Sequence, residues 1–310
     1  MKKIAIIVHG GAGDDSAYIR EHLEAYEQGL KDARDAGYTV LESGGTAVEA
    51  VEAAVRSLED NKHFNAGRGS ALNAEGKVEM CVSIMEGEKM HAGAAALVRN
   101  VKNPVALAKS LMESREGMYV GGPVTLEMAE SLGLEIEPDS YFITEHQFDA
   151  FLEERKKYPE KDRSRIPEAL MPRMHGTVGA VAVDKKGNVA AATSTGGTNF
   201  CPPGRIGDSS MIGVGSYADN RTAAISCTGD GEYLIREVMA GSISAVMEHT
   251  GCTAQEACNH IIHVKNKQTE GDLGAILVDS EGNIGIAFNS KRMHRAWRTS
   301  DGDSEVKIYK

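Results

Sequence analysis

Residues 179–192 read GAVAVDKKGNVAAA, and residues 274–287 read GAILVDSEGNIGIA. Each stretch alternates apolar residues, crosses a four-residue connection ending in Gly-Asn, and resumes as a second strand. That pattern predicts a β-hairpin. Val183-Asp184 matches Val278-Asp279, and Gly187-Asn188 matches Gly282-Asn283, so the chain carries the unit twice. The echo predicts two similar edges of an extended sheet. Between the two units the spacing predicts a helix over residues 232–248, and Thr253-x-x-Glu256 is a capping box that opens another. Strands interleaved with helices predict a layered mixed α/β fold.

Working outward, Ile4–Val8 reads as a buried first strand, ended by His9-Gly10-Gly11. Its apolar run is shorter than the roughly 7–15 residues of a signal-peptide core. Helical spacing follows over residues 16–36 and again over 46–58, where Val48, Val51, Val55 and Leu58 recur at three- and four-residue intervals. Residues 77–85 and 92–98 are strand-like, and Asn103-Pro104 opens a helix toward Met112. Between Phe151 and Arg173 charge runs are broken by Pro159, Pro167 and Pro172, which predicts a solvated helix end and then a mobile loop. A loop of that length inside a compact domain is often functional or cleavable.

The 310 residues hold 45 acidic and 34 basic side chains, a formal net charge of −11. That balance argues against nucleic acid or an anionic membrane surface as partner. No apolar stretch approaches the roughly 20 residues of a membrane span. Five cysteines without a C-x-x-C pair argue against a disulfide framework and for a reducing, cytoplasmic setting. Asn220-Arg221-Thr222 fits a glycosylation sequon but carries little weight without a secretion signal.

Four motifs follow the charged segment: His175-Gly176-Thr177-Val178-Gly179, Ser194-Thr195-Gly196-Gly197, Pro203-Gly204-Arg205-Ile206-Gly207-Asp208, and Ser226-Cys227-Thr228-Gly229-Asp230-Gly231-Glu232. Each alone is ordinary turn chemistry. Together they suggest a site, because glycine admits close approach of a ligand and bare amides donate hydrogen bonds. Other patterns are weaker. Gly213-Val214-Gly215-Ser216-Tyr217-Ala218 fits a relaxed dinucleotide pattern but lacks a strand-to-helix context and a following acidic residue. His9-Gly10-Gly11-Ala12-Gly13 matches a lipase-type oxyanion loop, yet no G-x-S-x-G elbow exists to use it. Cys258, His260 and His263 are spaced two and three apart and scatter on a helix, so packing is the better reading than a metal site.

The strand opening at Gly176-Thr177, then S-T-G-G, P-G-R-I-G-D and C-T-G-D-G-E, resembles the plant-type L-asparaginase/isoaspartyl peptidase family of N-terminal-nucleophile hydrolases. HGGAG at the start, Phe64-Asn65-Ala66-Gly67 with Gly69-Ser70, and Ala287-Phe288-Asn289 extend the likeness nearly end to end. The resemblance implies an α+β, four-layer αββα sandwich and one domain over residues 1–310. It also implies self-cleavage between Gly176 and Thr177. The products would be an α chain ending in a linker over about 151–176 and a β chain over 177–310, of 176 and 134 residues. The chemistry is coherent. A threonine hydroxyl needs a base, and a freed α-amine, with an ordinary pKa of about 7.7–8, supplies one that an amide nitrogen cannot.

By the same resemblance Thr177 is the nucleophile, Thr195 orients its hydroxyl, and Thr228 with the Gly229 amide forms the oxyanion hole. Arg205-Ile206-Gly207-Asp208 and Thr228-Gly229-Asp230-Gly231 form the substrate-binding stretches. Arg205 would take the α-carboxylate of an aspartyl group, and Asp208 with the Gly231 carbonyl its ammonium. Asn65 supports the site. Leu58, Glu59, Asn61, Phe64, Ala66 and Arg68 would circle a structural sodium with backbone carbonyls, and no catalytic cofactor is implied. The expected activity is hydrolysis of isoaspartyl dipeptides and L-asparagine by a homo-oligomer, (αβ)2 after cleavage. Alternatives are a glycosylasparaginase, whose members commonly have Asp where Gly176 stands, and a non-cleaving amino-acid-binding homologue. The chain departs from the family's D-A-S-I-M-D-G at Cys81 and Val82, and from its usual proline at Ser210. Cys81 is expected to alter packing beneath the site, subunit contacts or maturation.

Overall fold

The computed structural model describes residues 2–114, 119–157 and 176–310. The first strand, β1 (Ala5–Gly13), runs five residues past the expected end at Val8. A register shift between His9 and Ala12, with Gly11 at φ +107° and Gly13 at φ +153°, lets it keep pairing beyond the diglycine. Helices α1 (Ala17–Glu21) and α2 (Leu23–Glu42) then replace the single helix expected over 16–36, with the break at His22. Helix α3 (Ala47–Glu59) starts at a Thr46–Glu49 capping box and buries Ala50, Val51, Ala54, Val55 and Leu58.

Strands β2 (Met80–Glu86) and β3 (Ala92–Val98) lead to α4 (Pro104–Glu113), with Pro104 in its first turn. The short strand β4 (Tyr119–Gly121) and helices α5 (Val124–Ser131), α6 (Asp139–Phe142) and α7 (Glu145–Lys157) follow. Residues 151–157 thus end a helix, while the loop expected over the rest of that segment lies outside the described residues.

The first quoted stretch is a hairpin, β5 (Val178–Val183) and β6 (Val189–Thr195), with Ala180 opposite Ala192. After β7 (Ser216–Ala218) and β8 (Ala223–Gly229) come α8 (Gly231–Glu237) and α9 (Met239–Thr250). These two replace the continuous helix expected over 232–248, because Val238 sits at φ +46° between them. No glycine or proline announces that break in the sequence. Helix α10 (Ala254–Asn259) opens on the Thr253–Glu256 capping box. The second quoted stretch is the hairpin β9 (Leu273–Asp279) and β10 (Ile284–Phe288), and β11 (Arg292–Thr299) and β12 (Ser304–Tyr309) complete the described order.

The strands form an eight-stranded sheet, β12-β11-β1-β5-β6-β2-β3-β4, and a four-stranded one, β10-β9-β8-β7. The two hairpins are therefore not similar edges of one sheet. β5–β6 lies in the interior of the larger sheet, because β1 pairs along β5 and β2 along β6. β9–β10 belongs to the smaller sheet, with β10 at its edge.

Burial on alternate sides of each strand builds the layers. Ile4, Ile6 and Val8 pack with Leu30, Val51, Val55 and Leu107 of α2, α3 and α4. Ala5 and Ile7 point the other way and meet Ala224, Ile276 and Val278 of the second sheet. Beyond that sheet Ile225, Ala275 and Leu277 pack on Leu234, Ile243 and Ala257 of α8, α9 and α10. The result is a four-layer αββα sandwich. Strands buried on both faces read as unbroken apolar runs, as Ile4–Val8 does. Among the described residues no helix is long and apolar enough to cross a membrane.

Candidate active site

Pairing of Val178 with Ser194 across β5–β6 carries Thr177 to a place opposite Thr195, at one end of the larger sheet. Thr177 is 5% exposed, and among the described residues its hydroxyl has no hydrogen-bond partner. The bond before it is gripped from two sides. Asn65 Nδ2 donates to the Gly176 carbonyl at 2.8 Å, and Thr195 Oγ1 donates to the same oxygen at 3.0 Å. Both donors are held in turn. Asn65 Nδ2 also reaches the Gly197 carbonyl at 2.6 Å, and its Oδ1 accepts from the Ala71 amide at 2.7 Å. Thr195 Oγ1 accepts from the Gly197 amide at 3.0 Å. With the chain continuous through residue 176, Thr195 thus binds the carbonyl of Gly176, whereas the expected partner is the Thr177 hydroxyl.

The HGGAG strand end forms the facing wall. A Cβ on Gly11 would stand 3.0 Å from Gly176 Cα and 3.3 Å from the Thr177 nitrogen, so a side chain there would displace the bond. The Ala12 amide donates to Thr228 Oγ1 at 3.2 Å. Gly229 follows at φ +135°, where a Cβ would collide with the Asp272 carbonyl at 2.1 Å. That residue must be glycine, and its backbone ends β8 beside Thr177.

Thr177, Thr195, Arg205, Gly207, Asp208, Gly229 and Gly231 line one small pocket, together with Gly176, Gly197 and Thr198. The remaining expected residues surround it. Ile206 is 37% exposed. The Asp230 carboxylate accepts from the Asp272 amide at 2.9 Å and braces the loop end. Thr228 lies behind Gly229, buried against β1.

Arg205 has an ion-pair partner that its own loop does not supply. Its Nε and Nη2 meet Glu232 Oε1 at 2.9 and 2.8 Å, with the guanidinium side chain 13% exposed. Burial alone would lower its pKa, but Glu232, with Asp208 nearby, holds it above the ordinary value. Thr198 lies outside the four motifs, and Glu232 closes the fourth without an expected role. Glu232 stands 27 positions from Arg205, and no local spacing links the two.

Cys81 pairs in register with Thr195, buried beneath the Arg205–Ser210 loop. Burial pushes its thiol up, while the Gly207 backbone, Ser210 and Arg205 pull the other way. The thiol therefore packs against the segment that carries Asp208, with Tyr119 hydrogen-bonded to Ser210 at 2.8 Å.

Beneath Thr177 lies a buried polar chain between the sheets. His9 Nε2 meets Ser226 Oγ at 2.8 Å, and Ser226 Oγ meets Thr193 Oγ1 at 2.7 Å. Complete burial drives the His9 pKa down to about 3, and the Thr177 backbone raises it only part of the way. A neutral imidazole so weakly basic cannot serve as the base for Thr177. The folded pKa lies below the unfolded value of about 6.5, so the unfolded chain binds the extra proton between them. The stability due to this group is fully present above about pH 6.5 and is lost as pH falls toward 3. Thermal unfolding across that range should show a falling melting temperature, with a shallower fall in His9→Gln.

The loop after α3 carries the carbonyls expected around sodium, and those of Leu58 and Asn61 accept from the Asn61 and Phe64 amides at 3.2 Å each. The Glu59 carbonyl accepts from the Arg68 amide at 2.7 Å, closing the loop on itself. A Cβ on Gly69 would stand 2.6 Å from the Lys62 carbonyl oxygen and 2.7 Å from that of Phe64, so the close packing of this loop requires glycine there. Cys258, by contrast, is buried in the second core while His260 and His263 are exposed, and the three do not converge.

Comparison with known proteins agrees in extent with these motifs. The profile of a family described as asparaginase matches residues 2–308. An isoaspartyl peptidase of Salmonella typhimurium is 39% identical over 314 residues, covering 100% of both chains. A probable isoaspartyl peptidase/L-asparaginase 2 of Arabidopsis thaliana is 38% identical over 323 residues, 98% of each chain. An isoaspartyl peptidase/L-asparaginase of Danio rerio is 38% identical over 288 residues, 93% of this chain and 90% of its own.

Proposed function

The chain belongs to the asparaginase family of N-terminal-nucleophile hydrolases, and from that premise we propose that it is an isoaspartyl peptidase and L-asparaginase that cuts itself between Gly176 and Thr177. The observation that carries the reading is the double grip of Asn65 and Thr195 on the Gly176 carbonyl.

Thr177 Oγ attacks that carbonyl carbon, and the developing oxyanion is held by the Asn65 and Thr195 donors. The C–N bond breaks, its nitrogen leaves with the hydroxyl proton, and an ester joins Gly176 to Thr177 Oγ. Water hydrolyses the ester, leaving a Gly176 carboxylate, a free Thr177 hydroxyl and a free α-amine. The α chain is residues 1–176 and the β chain 177–310. The amine then acts as general base toward its own hydroxyl, which attacks the β-carbonyl of a bound aspartyl group. Thr228 and the Gly229 amide receive the second oxyanion, and after the amine leaves, water hydrolyses the aspartyl ester, releasing aspartate and restoring the Thr177 hydroxyl. Glu232 presents Arg205 to the substrate α-carboxylate, Asp208 and the Gly231 carbonyl take the α-ammonium, and the departing amine takes the proton from the Thr177 amine. The 58–68 loop would hold sodium through the carbonyls of Leu58, Glu59, Asn61, Phe64, Ala66 and Arg68, stiffening the segment that carries Asn65. An (αβ)2 assembly in a cytoplasmic setting belongs to the same reading.

The test is denaturing intact-mass spectrometry, fresh and after several days, followed by turnover of a β-aspartyl dipeptide, L-asparagine and a glycosylated asparagine. Two species with Thr177 at a new N-terminus, and turnover of the first two substrates, are the expected results. A single stable mass sinks self-cleavage, and dominant turnover of the glycosylated substrate makes the protein a glycosylasparaginase. Arg205→Ala should raise KM for both preferred substrates by about 10²-fold, because a charge-assisted bidentate contact is lost and Glu232 is left unpaired. Unchanged KM would remove Arg205 from the substrate site.

A further inference from the structure

A second cavity also reaches Gly176 but not Thr177, lined by Gly176, Asn65 and Gly10 and walled by Tyr26, Arg292 and His294. Its polar walls are deeply buried: Tyr26 and Arg292 are each 6% exposed and His294 is 2% exposed. Among the described residues their hydrogen-bonding capacity is unfilled. Arg292 Nε donates to the Asp14 carbonyl at 2.8 Å, and among the described residues no carboxylate pairs with its guanidinium; burial lowers its pKa, and Tyr26, Asp15, Tyr309 and Asp272 pull it back only in part. The two acids at the cavity rim are engaged elsewhere, Asp14 with Lys291 at 2.9 Å and Asp15 with Arg20 at 2.5 Å and the Tyr309 hydroxyl at 3.2 Å. His294 Nδ1 lies 3.3 Å from the Gly10 carbonyl, which can only accept, so Nδ1 carries the hydrogen. Its Nε2 is then a bare acceptor, buried and without a partner.

A guanidinium largely withdrawn from water, with no paired carboxylate among the described residues, is costly unless a ligand supplies one. A cavity that offers a fork of donors and one acceptor complements a carboxylate and an N–H together, the two groups of an amino acid. A bare inorganic anion would satisfy the first and not the second.

We propose that this cavity is the leaving-group subsite: it receives the amino acid released from a β-aspartyl dipeptide, with the Arg292 guanidinium on that residue's α-carboxylate. The assignment rests on the functional reading above. In that reading the Thr177 amine hands its proton to the departing nitrogen, so the leaving half lies on the amine side of the nucleophile. That is the side where Gly176 stands and this cavity opens. Arg205 and Asp208 hold the aspartyl half in the other pocket. L-Asparagine releases only ammonia and gains nothing from Arg292, so the subsite favours dipeptides.

The experiment uses the self-cleaved enzyme with β-aspartyl-leucine, its C-terminal carboxamide and L-asparagine. The free acid should exceed the amide in kcat/KM by about 10- to 100-fold, carried by KM, as for a hydrogen bond to a charged group. In Arg292→Gln the acid and the amide should converge, and Arg292→Lys should keep part of the difference. Equal turnover of acid and amide by the wild-type enzyme overturns the subsite and leaves the peptidase reading standing; it requires no variant to fold. An acid-over-amide preference that survives in Arg292→Gln overturns the role of Arg292. Turnover of none of the three substrates by cleaved enzyme sinks the functional reading, and this subsite with it.

Discussion

Thr177→Ala should leave one chain of 310 residues that neither cleaves nor turns over substrate. Removing the hydroxyl deletes the attacking atom of both reactions, so the loss should be at least about 10⁴-fold in each, the scale seen when a nucleophile is removed. The fold should persist. Thr177 is the last residue before β5, and among the described residues no hydrogen bond depends on its hydroxyl. Intact mass over several days, turnover of a β-aspartyl dipeptide and a melting curve make up the measurement. Normal processing in the variant would remove Thr177 from the mechanism. Thr177→Ser should retain both activities in part, because a primary hydroxyl keeps the attacking oxygen while losing the methyl that restrains its rotamer.

Asn65→Ala should slow self-cleavage by about 10²–10³-fold, the usual loss for one oxyanion donor. The reason is local: Asn65 Nδ2 is one of two groups on the Gly176 carbonyl, and its Oδ1 tethers the Ala71 amide. Asn65→Asp separates the two functions. A carboxylate can still accept from Ala71, yet it turns an anion toward the carbonyls of Gly176 and Gly197 where an N–H stood. Cleavage should therefore stall in both variants. The rate of appearance of the new Thr177 N-terminus reports this directly. Wild-type cleavage in Asn65→Asp would show that the Thr195 donor suffices.

Cys81 shows how far a departure from the family pattern can be read. The sequence marks the position as unusual; only strand pairing reveals that it lies opposite Thr195, beneath Gly207 and Ser210. Arg205 teaches the same lesson. Its spacing to Asp208 suggested a paired cation and anion on one loop, but the residue that grips the guanidinium is Glu232, at the start of α8.

Features that depend on neighbours a few residues apart were legible along the chain. The alternation of both hairpins, the Thr253 cap, Pro104 in the first turn of α4 and the span of β3 are all local, and all stand in the structure. The family motifs belong here too, since each is a short run of hydroxyls and glycines. The sequence could not place the two hairpins in different sheets, because sheet membership is decided by which distant strand fills each edge. It could not show β1 continuing through Gly11, since that continuation depends on pairing with β11 some 280 residues away. It also could not foresee the break at Val238, where packing of α8 and α9 on the second sheet overrides helical spacing. The cavity at Arg292 is likewise a product of tertiary structure: β11 brings a buried guanidinium beside a bond from the middle of the chain. Hydrogen-bonding and burial are energies between groups in contact, and the chain's folding, not its local spelling, decides which groups those are.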